Sequence, residues 1–509
     1  MANKRKRFFP LSSEGVYHYG LKNWIESNNC KINFTKNLQN NRKKILEIFK
    51  QIFFNNKDEY LKYVAICNYD LLDSILYISQ FYEIFNNLEK KKIKRVFLKK
   101  NTNLHNTCIE KIIFKKYFDN SFINYDDIKS NYKIYIKNFI SHLNSIILNK
   151  RKITIVYEND YINKLFPKKN YTYCYVNFRD NVVRIDEIKK NYLENKIYFF
   201  LKKTLKKNFD KFPIFIIEKI VQNFCQTYDF LKSDKINLPS KYFIPNLLGR
   251  NKMRAFAVKC LLNNAKLYGY IHGNQILNFE ISKETFFYNN ILSLGGRCYV
   301  GSRTEKQRVK EYLKKLPKPI RKVDFKISQN LYRKTNVNYT NNNRILLVGF
   351  PMSQDFYYWA PSFHTFNLLY VETSIIKLCK ENNYEIDYKI HPERINETEK
   401  LYKKEKINII YDPLEDILNN YEYVICPHPI STTFSYILYS SNAKVIIFDH
   451  KDLRWDKSVY KFIKKRAEVI KLYNNKINHM KFDKMKFLKS VKKIMSKDYK
   501  KNNYKINFQ

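Results

Sequence analysis

Three of the nine histidines follow directly on short runs of β-branched and aromatic residues. His272 follows Lys-Leu-Tyr-Gly-Tyr-Ile, His391 follows Tyr-Glu-Ile-Asp-Tyr-Lys-Ile, and His428 follows Tyr-Glu-Tyr-Val-Ile-Cys-Pro. Each stands beside a residue with special backbone properties: Gly273, Pro392, or Pro427 and Pro429. An imidazole titrates at about pH 6.5, so at a strand end it can take a proton from a hydroxyl or hold a phosphate. The plainer reading is a polar loop histidine, and three at equivalent places weaken it. Ser431-Thr432-Thr433 lies between a strand pattern and a helix pattern. Its hydroxyls and the free N–H groups of the following helix can hold an anion, a role that adds to ordinary N-capping.

Seven of the nine glycines fall between Gly249 and Gly349. In a chain that uses so little glycine, each retained one meets a backbone need: a turn with positive φ, or close approach to a ligand at a cleft. Gly-x-x-x-x-Gly-Lys-Ser/Thr, Gly-x-Gly-x-x-Gly and Gly-x-Ser-x-Gly are all missing. P-loop hydrolysis, dinucleotide binding and the α/β-hydrolase elbow lose support accordingly. No Asp-x-Asp occurs, so no obligatory divalent cation and no cofactor are expected.

The elements that must position these residues alternate. From Arg250 to Gly301 the pattern is an amphipathic helix over Met253–Asn263, a strand over Lys266–Ile271 ending at His272, and a strand at Cys298–Val300. From Arg344 to Phe448 five short apolar strands alternate with four helical segments over short connections. Such alternation predicts a doubly wound parallel sheet, whose ligands bind outside the carboxyl ends of the strands. Those ends are where His391 and His428 stand. Earlier in the chain the spacing predicts helices over Asn41–Phe54, Tyr69–Leu88, Glu187–Lys207 and Phe215–Leu231, with strands at Arg95–Leu98 and Lys152–Tyr157.

The chain of 509 residues carries 94 Lys and Arg against 47 Asp and Glu, a net charge of +47, yet 44% is hydrophobic and 16% aromatic. A disordered basic tail is excluded, because disorder requires few apolar residues. The charge draws polyanions: phosphorylated substrates, an anionic membrane surface or nucleic acid. No nucleic-acid recognition module is visible, so that reading is the weakest of the three. The nine cysteines show no Cys-x-x-Cys pair and read as reduced thiols, and the N-terminus lacks an apolar signal core. A cytoplasmic protein is expected, with at most peripheral contact at the inner membrane face.

The run from Tyr421 to Asp449 resembles the donor-site segment of GT-B glycosyltransferases of bacterial surface polysaccharides. Lys389-Ile390-His391-Pro392 resembles the His-Pro motif of CMP-sugar-dependent sialyl- and Kdo-transferases and of CDP-glycerol glycerophosphotransferases. Tyr270-Ile271-His272-Gly273-Asn274 is similar to the His-Gly loop of the latter group and of surface carbohydrate biosynthesis proteins. The resemblance spans roughly residues 245 to 450. Cys426-Pro427-His428-Pro429 departs from the acidic or small residues usual before the Ser/Thr pair.

The resemblance implies a GT-B-like α/β fold of two Rossmann-like domains facing a cleft, with a helix-rich N-terminal region. The expected divisions are a helix-rich region 1–93, an acceptor domain 94–310, a linker 311–343, a donor domain 344–455 and a basic helical tail 456–509. It implies transfer of a sugar from a nucleotide-activated co-substrate, a CMP-sugar foremost, to a glycan or lipid-linked acceptor of capsule or lipopolysaccharide. His391 with Pro392, Ser431, Thr432, Gly349 and His428 would line the donor phosphate and nucleotide. His272 would be the general base or an electrostatic partner of the transition state, with Gly273 and Asn274 on the acceptor side and Arg344 bordering the pocket. The alternatives are polyol-phosphate transfer from a CDP-linked donor, and a basic nucleic-acid-binding protein with a degenerate transferase-like domain.

Overall fold

The computed structural model describes residues 8–10, 38–55, 57–69, 95–97, 153–155, 165–173, 187–206, 209–210, 214–233, 238–244, 251–271, 291–301, 303–314, 318–328, 343–350, 365–392, 399, 402–403, 405–429, 432–450, 455–474 and 480–496. Among them the protein is mixed α/β, built on two mainly parallel sheets and one short parallel pair. That pair joins β1 (Phe8–Pro10) to β2 (Arg95–Phe97), the strand expected near Arg95. The helix expected over Tyr69–Leu88 lies, after Tyr69, outside the described residues.

Helices α1 (Leu38–Phe49) and α2 (Glu59–Cys67) belong to the same core as the helices later in the chain. A π-helical turn, Lys50–Phe54, extends α1. Both pack with α3 (Glu187–Leu205), α4 (Ile214–Lys232) and α5 (Asn251–Leu262) in one core that runs from Ile45 to Phe325 and also takes in Leu369. Phe53 meets Phe49 at 4.8 Å and Phe224 at 5.4 Å between ring centroids. Every residue from Met253 to Cys260 is buried, so α5 lies at the centre of this core. Its two cations there end its neighbours. Arg254 Nη1 donates to the carbonyl oxygens of Ile66 at 3.2 Å and Cys67 at 3.4 Å, while Lys259 donates to those of Leu231 and Ser233. Carbonyls left over at the ends of α2 and α4 are satisfied in this way, and the cations sit at the negative ends of two helix dipoles.

The first sheet contains β3 (Ile153–Ile155), β4 (Tyr171–Tyr173), β5 (Lys241–Phe243), β6 (Lys266–Tyr270), β7 (Gly296–Val300) and β8 (Val323–Ile327), all parallel, in the order β4-β3-β5-β6-β7-β8. Helix α6 (Arg303–Leu313) returns the chain from β7 to β8. The edge strand β8 lies inside the stretch 311–343 expected as a linker. Its sequence, Val-Asp-Phe-Lys-Ile, buries only Phe325, and an edge strand with so many polar residues reads as a connection.

The second sheet is β9 (Ile345–Val348), β10 (Ile386–Lys389), β11 (Asn408–Ile410), β12 (Tyr423–Cys426), β13 (Lys444–His450), β14 (Ala467–Asn474) and β15 (Met480–Phe482). The spatial order is β11-β10-β9-β12-β13-β14-β15. Counted from β9, the six parallel strands run 3-2-1-4-5-6, the doubly wound Rossmann order, with β15 added antiparallel. Ile345 and Leu347 point into one core with α7 (Thr365–Glu381), and Leu346 and Val348 into another with α8 (Leu414–Ile417) and α9 (Thr432–Ser440). Alternate side chains thus feed two layers, and each buried Leu or Ile contributes about 2 kcal/mol.

Residues 456–509, expected as a helical tail, supply two strands of this sheet. Helix α10 (Lys457–Arg466) covers the face of α9, and α11 (Lys484–Met495) the face of α7. No helix among the described residues is long and apolar enough to cross a membrane.

Candidate active site

In the second sheet β9 and β12 are neighbours, but β9 leads into α7 on one face and β12 into α9 on the other. Their carboxyl ends part there, opening the crevice at which open α/β sheets bind ligands. Gly349 and Phe350 follow β9, His391 and Pro392 follow β10, and Pro427, His428 and Pro429 follow β12. The ends are level: Val348 pairs with Lys389 and Leu347 with Ile425. Thr432 opens α9. His391, Pro392, Gly349, His428 and Thr432 therefore converge on one rim.

Their surroundings differ. His391 is half-buried and Pro392 exposed. His428 is buried: its ring meets that of Phe350 at 5.1 Å, and its Nε2 lies 3.5 Å from Oε1 of Glu372. Glu372, on α7, is fully buried and gathers several segments on one carboxylate. Oε1 accepts from the Phe350 N–H at 3.4 Å, and Oε2 accepts from the hydroxyls of Tyr388 at 3.1 Å and Tyr402 at 2.7 Å. A buried carboxylate persists only when so supplied with donors. His428 thus supports the loop after β12 from beneath the rim, where direct contact with a donor phosphate had been expected.

Gly349 is explained by the same network. A Cβ there would collide with the Tyr388 hydroxyl and lie 2.7 Å from its Cζ. The close approach comes from the protein's own tyrosine on its way to Glu372. Gly295 and Gly296 have φ of +95° and +113° and turn the chain into β7 with the backbone of Arg321 and Leu267 against them. These glycines therefore serve turns and packing, and the cleft inferred from their clustering has no support from them.

Arg344 is not at the rim. It precedes β9, at the amino end, where its Nε and Nη2 reach the two carboxylate oxygens of Asp387 at 3.0 and 2.5 Å. Tyr421 Oη and Asn408 Nδ2 donate to the same buried carboxylate at 2.6 and 3.1 Å. Burial alone would raise Asp387, but the bonds from Arg344, Tyr421 and Asn408 outweigh it and hold its carboxyl below the usual value. Arg344 fastens β9 to β10, and its expected place beside the pocket is corrected.

Two rim groups went unnoticed in the sequence. Lys389 ends β10 with its ammonium buried, donating to the carbonyl oxygens of Ile390 at 2.8 Å and Tyr411 at 3.5 Å. Burial lowers its affinity for the proton, and nearby Asp412 and Glu415 oppose the shift. Strand β13 runs on past Phe448 to buried Asp449 and His450. Asp449 is committed to Trp455 Nε1 at 2.7 Å, Tyr460 Oη at 2.7 Å and Lys471. Glu372 itself had a visible signal: it is the only acid among Leu368–Cys379, a mainly apolar helix pattern.

His272, Gly273, Asn274 and Ser431 lie outside the described residues. Six described cysteines form no disulfide, and burial pushes the thiols of Cys67 and Cys379 up to about 12. No group of three or more His, Cys, Asp or Glu able to hold a metal occurs among the described residues. No protein-family model matches the chain, and no curated protein or solved structure is significantly similar to it.

Proposed function

We propose that the chain is a GT-B-type glycosyltransferase that moves a sugar from a nucleotide-activated donor, a CMP-sugar foremost, to a surface-glycan acceptor. One observation carries the reading: His391, after β10, and the start of α9, after β12, stand on either side of β9 at the carboxyl ends of a sheet ordered 3-2-1-4-5-6. A sheet of this order offers phosphates a helix N-terminus beside diverging strand ends. In this reading His391 is the imidazole there, with Thr432 and Ser431 as hydroxyl and N–H donors.

The chemistry asks for two things. The acceptor hydroxyl must lose its proton as its oxygen bonds to the anomeric carbon, and the nucleotide phosphate must leave with the electron pair of the breaking C–O bond. In this reading His272 takes the proton from the acceptor side, where Gly273 and Asn274 adjoin it. His391 and the α9 N–H groups meet the charge on the departing phosphate. The buried Glu372–His428 pair keeps the β12–α9 loop in register with them.

A thermal-shift series with CMP, CDP, UDP, GDP and ADP on the full chain tests the proposal, because a ligand that binds only the native state raises its melting temperature. A selective shift with cytidine nucleotides is the expected result. The absence of a shift with all five, at millimolar concentration, would sink it.

A further inference from the structure

The positive charge is not spread evenly. Residues 456–496 hold thirteen Lys and Arg against three Asp and Glu, more than four to one, where the whole chain holds 94 against 47. The enrichment exceeds the compositional background twofold, so background alone does not account for it. All three acids are engaged locally. Asp456 accepts from the Val459 N–H at 3.3 Å, Asp483 caps α11 through the Lys486 N–H at 2.9 Å, and Glu468 meets Lys493 at 2.9 Å.

The fold gathers this charge at one margin. Helices α10 and α11 cover opposite faces of the second sheet at the same end, beside β14 and the last strand, β15. Val459 and Ile463 anchor α10, and Phe487, Val491 and Ile494 anchor α11, all fully buried. Outward, α10 shows Lys457, Lys461, Lys464 and Lys465. On α11 the outward residues are Lys484, Lys486, Lys489 and Lys492, with Met485 among them at 65% exposure. Arg466 is buried on the carbonyl oxygens of Ala443 and Ser441, so the surface cations are all lysines.

We propose that the lysine face of α11, at the sheet margin formed by β14 and β15, is a docking surface for the anionic phospholipid headgroups of a bilayer. Flexible, hydrated ammonium groups suit a fluid layer of phosphates, which asks for charge density rather than fixed geometry. Met485 supplies an apolar side chain able to enter the interface. Nucleic acid fits less well: among its described residues the margin exposes no arginine fork and, of large aromatic side chains, Tyr473 alone at 51% exposure for stacking on bases. The margin lies three strands from the switch point, so a docked protein keeps its crevice free. The inference does not depend on the transferase reading.

The test is co-sedimentation of the full chain with vesicles of phosphatidylcholine, with and without about a third phosphatidylglycerol, at the surface charge that attracts polybasic segments. The wild type sediments with the anionic vesicles only. The variant Lys484→Glu, Lys486→Glu, Lys489→Glu, Lys492→Glu loses at least about tenfold in partition, since each lysine near an anionic surface contributes separately. A matched variant, Lys202→Glu, Lys203→Glu, Lys310→Glu, Lys314→Glu, changes the net charge equally at exposed sites on two other helices and the turn that ends one of them, and keeps binding. Wild type that ignores anionic vesicles, or an α11 variant that binds as well as wild type, overturns the proposal. So does equal loss in the matched variant, which would trace binding to net charge. Binding of polyuridylate RNA in place of vesicles, abolished by the α11 substitutions, would assign the margin to nucleic acid instead. Glutamine replacements at the same four positions repeat the test should charge reversal lower the melting temperature.

Discussion

Glu372 Oε1 stands 3.5 Å from Nε2 of His428, with both side chains buried under the carboxyl ends of β9 and β12. The contact joins α7, on one face of the sheet, to the loop that leads to α9 on the other. With Phe350, Tyr388 and Tyr402 on the same carboxylate, the crevice floor is one hydrogen-bonded unit and not a set of independent loops.

Glu372→Ala leaves two buried hydroxyls and a backbone N–H without their shared acceptor, and a buried imidazole without its carboxylate neighbour. Loss of one member of such a buried polar group costs about 3 to 5 kcal/mol. Glu372→Gln keeps the shape and one acceptor oxygen and should lose roughly half of that. Urea denaturation of the two variants checks both figures. A loss under about 1 kcal/mol for the alanine variant would show that the network is not a structural unit.

Gly349→Ala drives a methyl group against the Tyr388 hydroxyl, which cannot retreat without leaving Glu372. Overpacking of this kind costs about 1 to 3 kcal/mol. Tyr388→Phe removes the nearer atom, so the double variant should be less destabilised than the sum of the single ones. Additive losses in a double-mutant cycle would mean that the Tyr388 hydroxyl is not what excludes a side chain at position 349, leaving the ring Cζ and the Lys389 carbonyl oxygen, 2.7 and 2.9 Å from that Cβ.

His391→Ala separates function from fold. The side chain is half-buried at the rim, so the melting temperature should fall by no more than about 2 °C. Any cytidine-nucleotide shift should fall with it, by at least about tenfold in apparent affinity, as expected for a lost charge-assisted phosphate contact. An unchanged nucleotide response would remove His391 from the donor site.

The second sheet was readable because its strands are buried on both faces, so Ile-Leu-Leu-Val and Tyr-Val-Ile-Cys appear as apolar runs between helix patterns. Strands β14 and β15 escaped for the opposite reason. Glu468, Lys471 and Lys481 interrupt them at the sheet edge, where one flank is open to charge, and β15 runs antiparallel. His391 and His428 stand at strand ends as expected, but spacing carries no information about burial, and only three dimensions separate a half-buried histidine from one buried beside Glu372. That carboxylate escaped because an acid within a helix pattern reads as solvent-exposed. Its donors, Tyr388 and Tyr402, are 16 and 30 residues away.

Asp229, on a helix of the first core, offers a pH test that does not involve the second sheet. It lies in the last turn of α4, partly buried, and burial pushes its carboxyl up from 3.8 to about 6. The negative end of the helix dipole also disfavours its charge. A folded-state value above the unfolded one means that the protonated group stabilises the fold fully below about pH 4, a contribution lost as pH rises through 6. Asn mimics the protonated form at every pH. Asp229→Asn should therefore match wild type at pH 3.5 and exceed it at pH 8, by about 1 kcal/mol once screening by solvent is allowed for. Urea midpoints across pH 3.5 to 8 measure the difference. A gap that stays constant over that range would mean that Asp229 carries no such shift, and a gap that opens below pH 4 would reverse its sign.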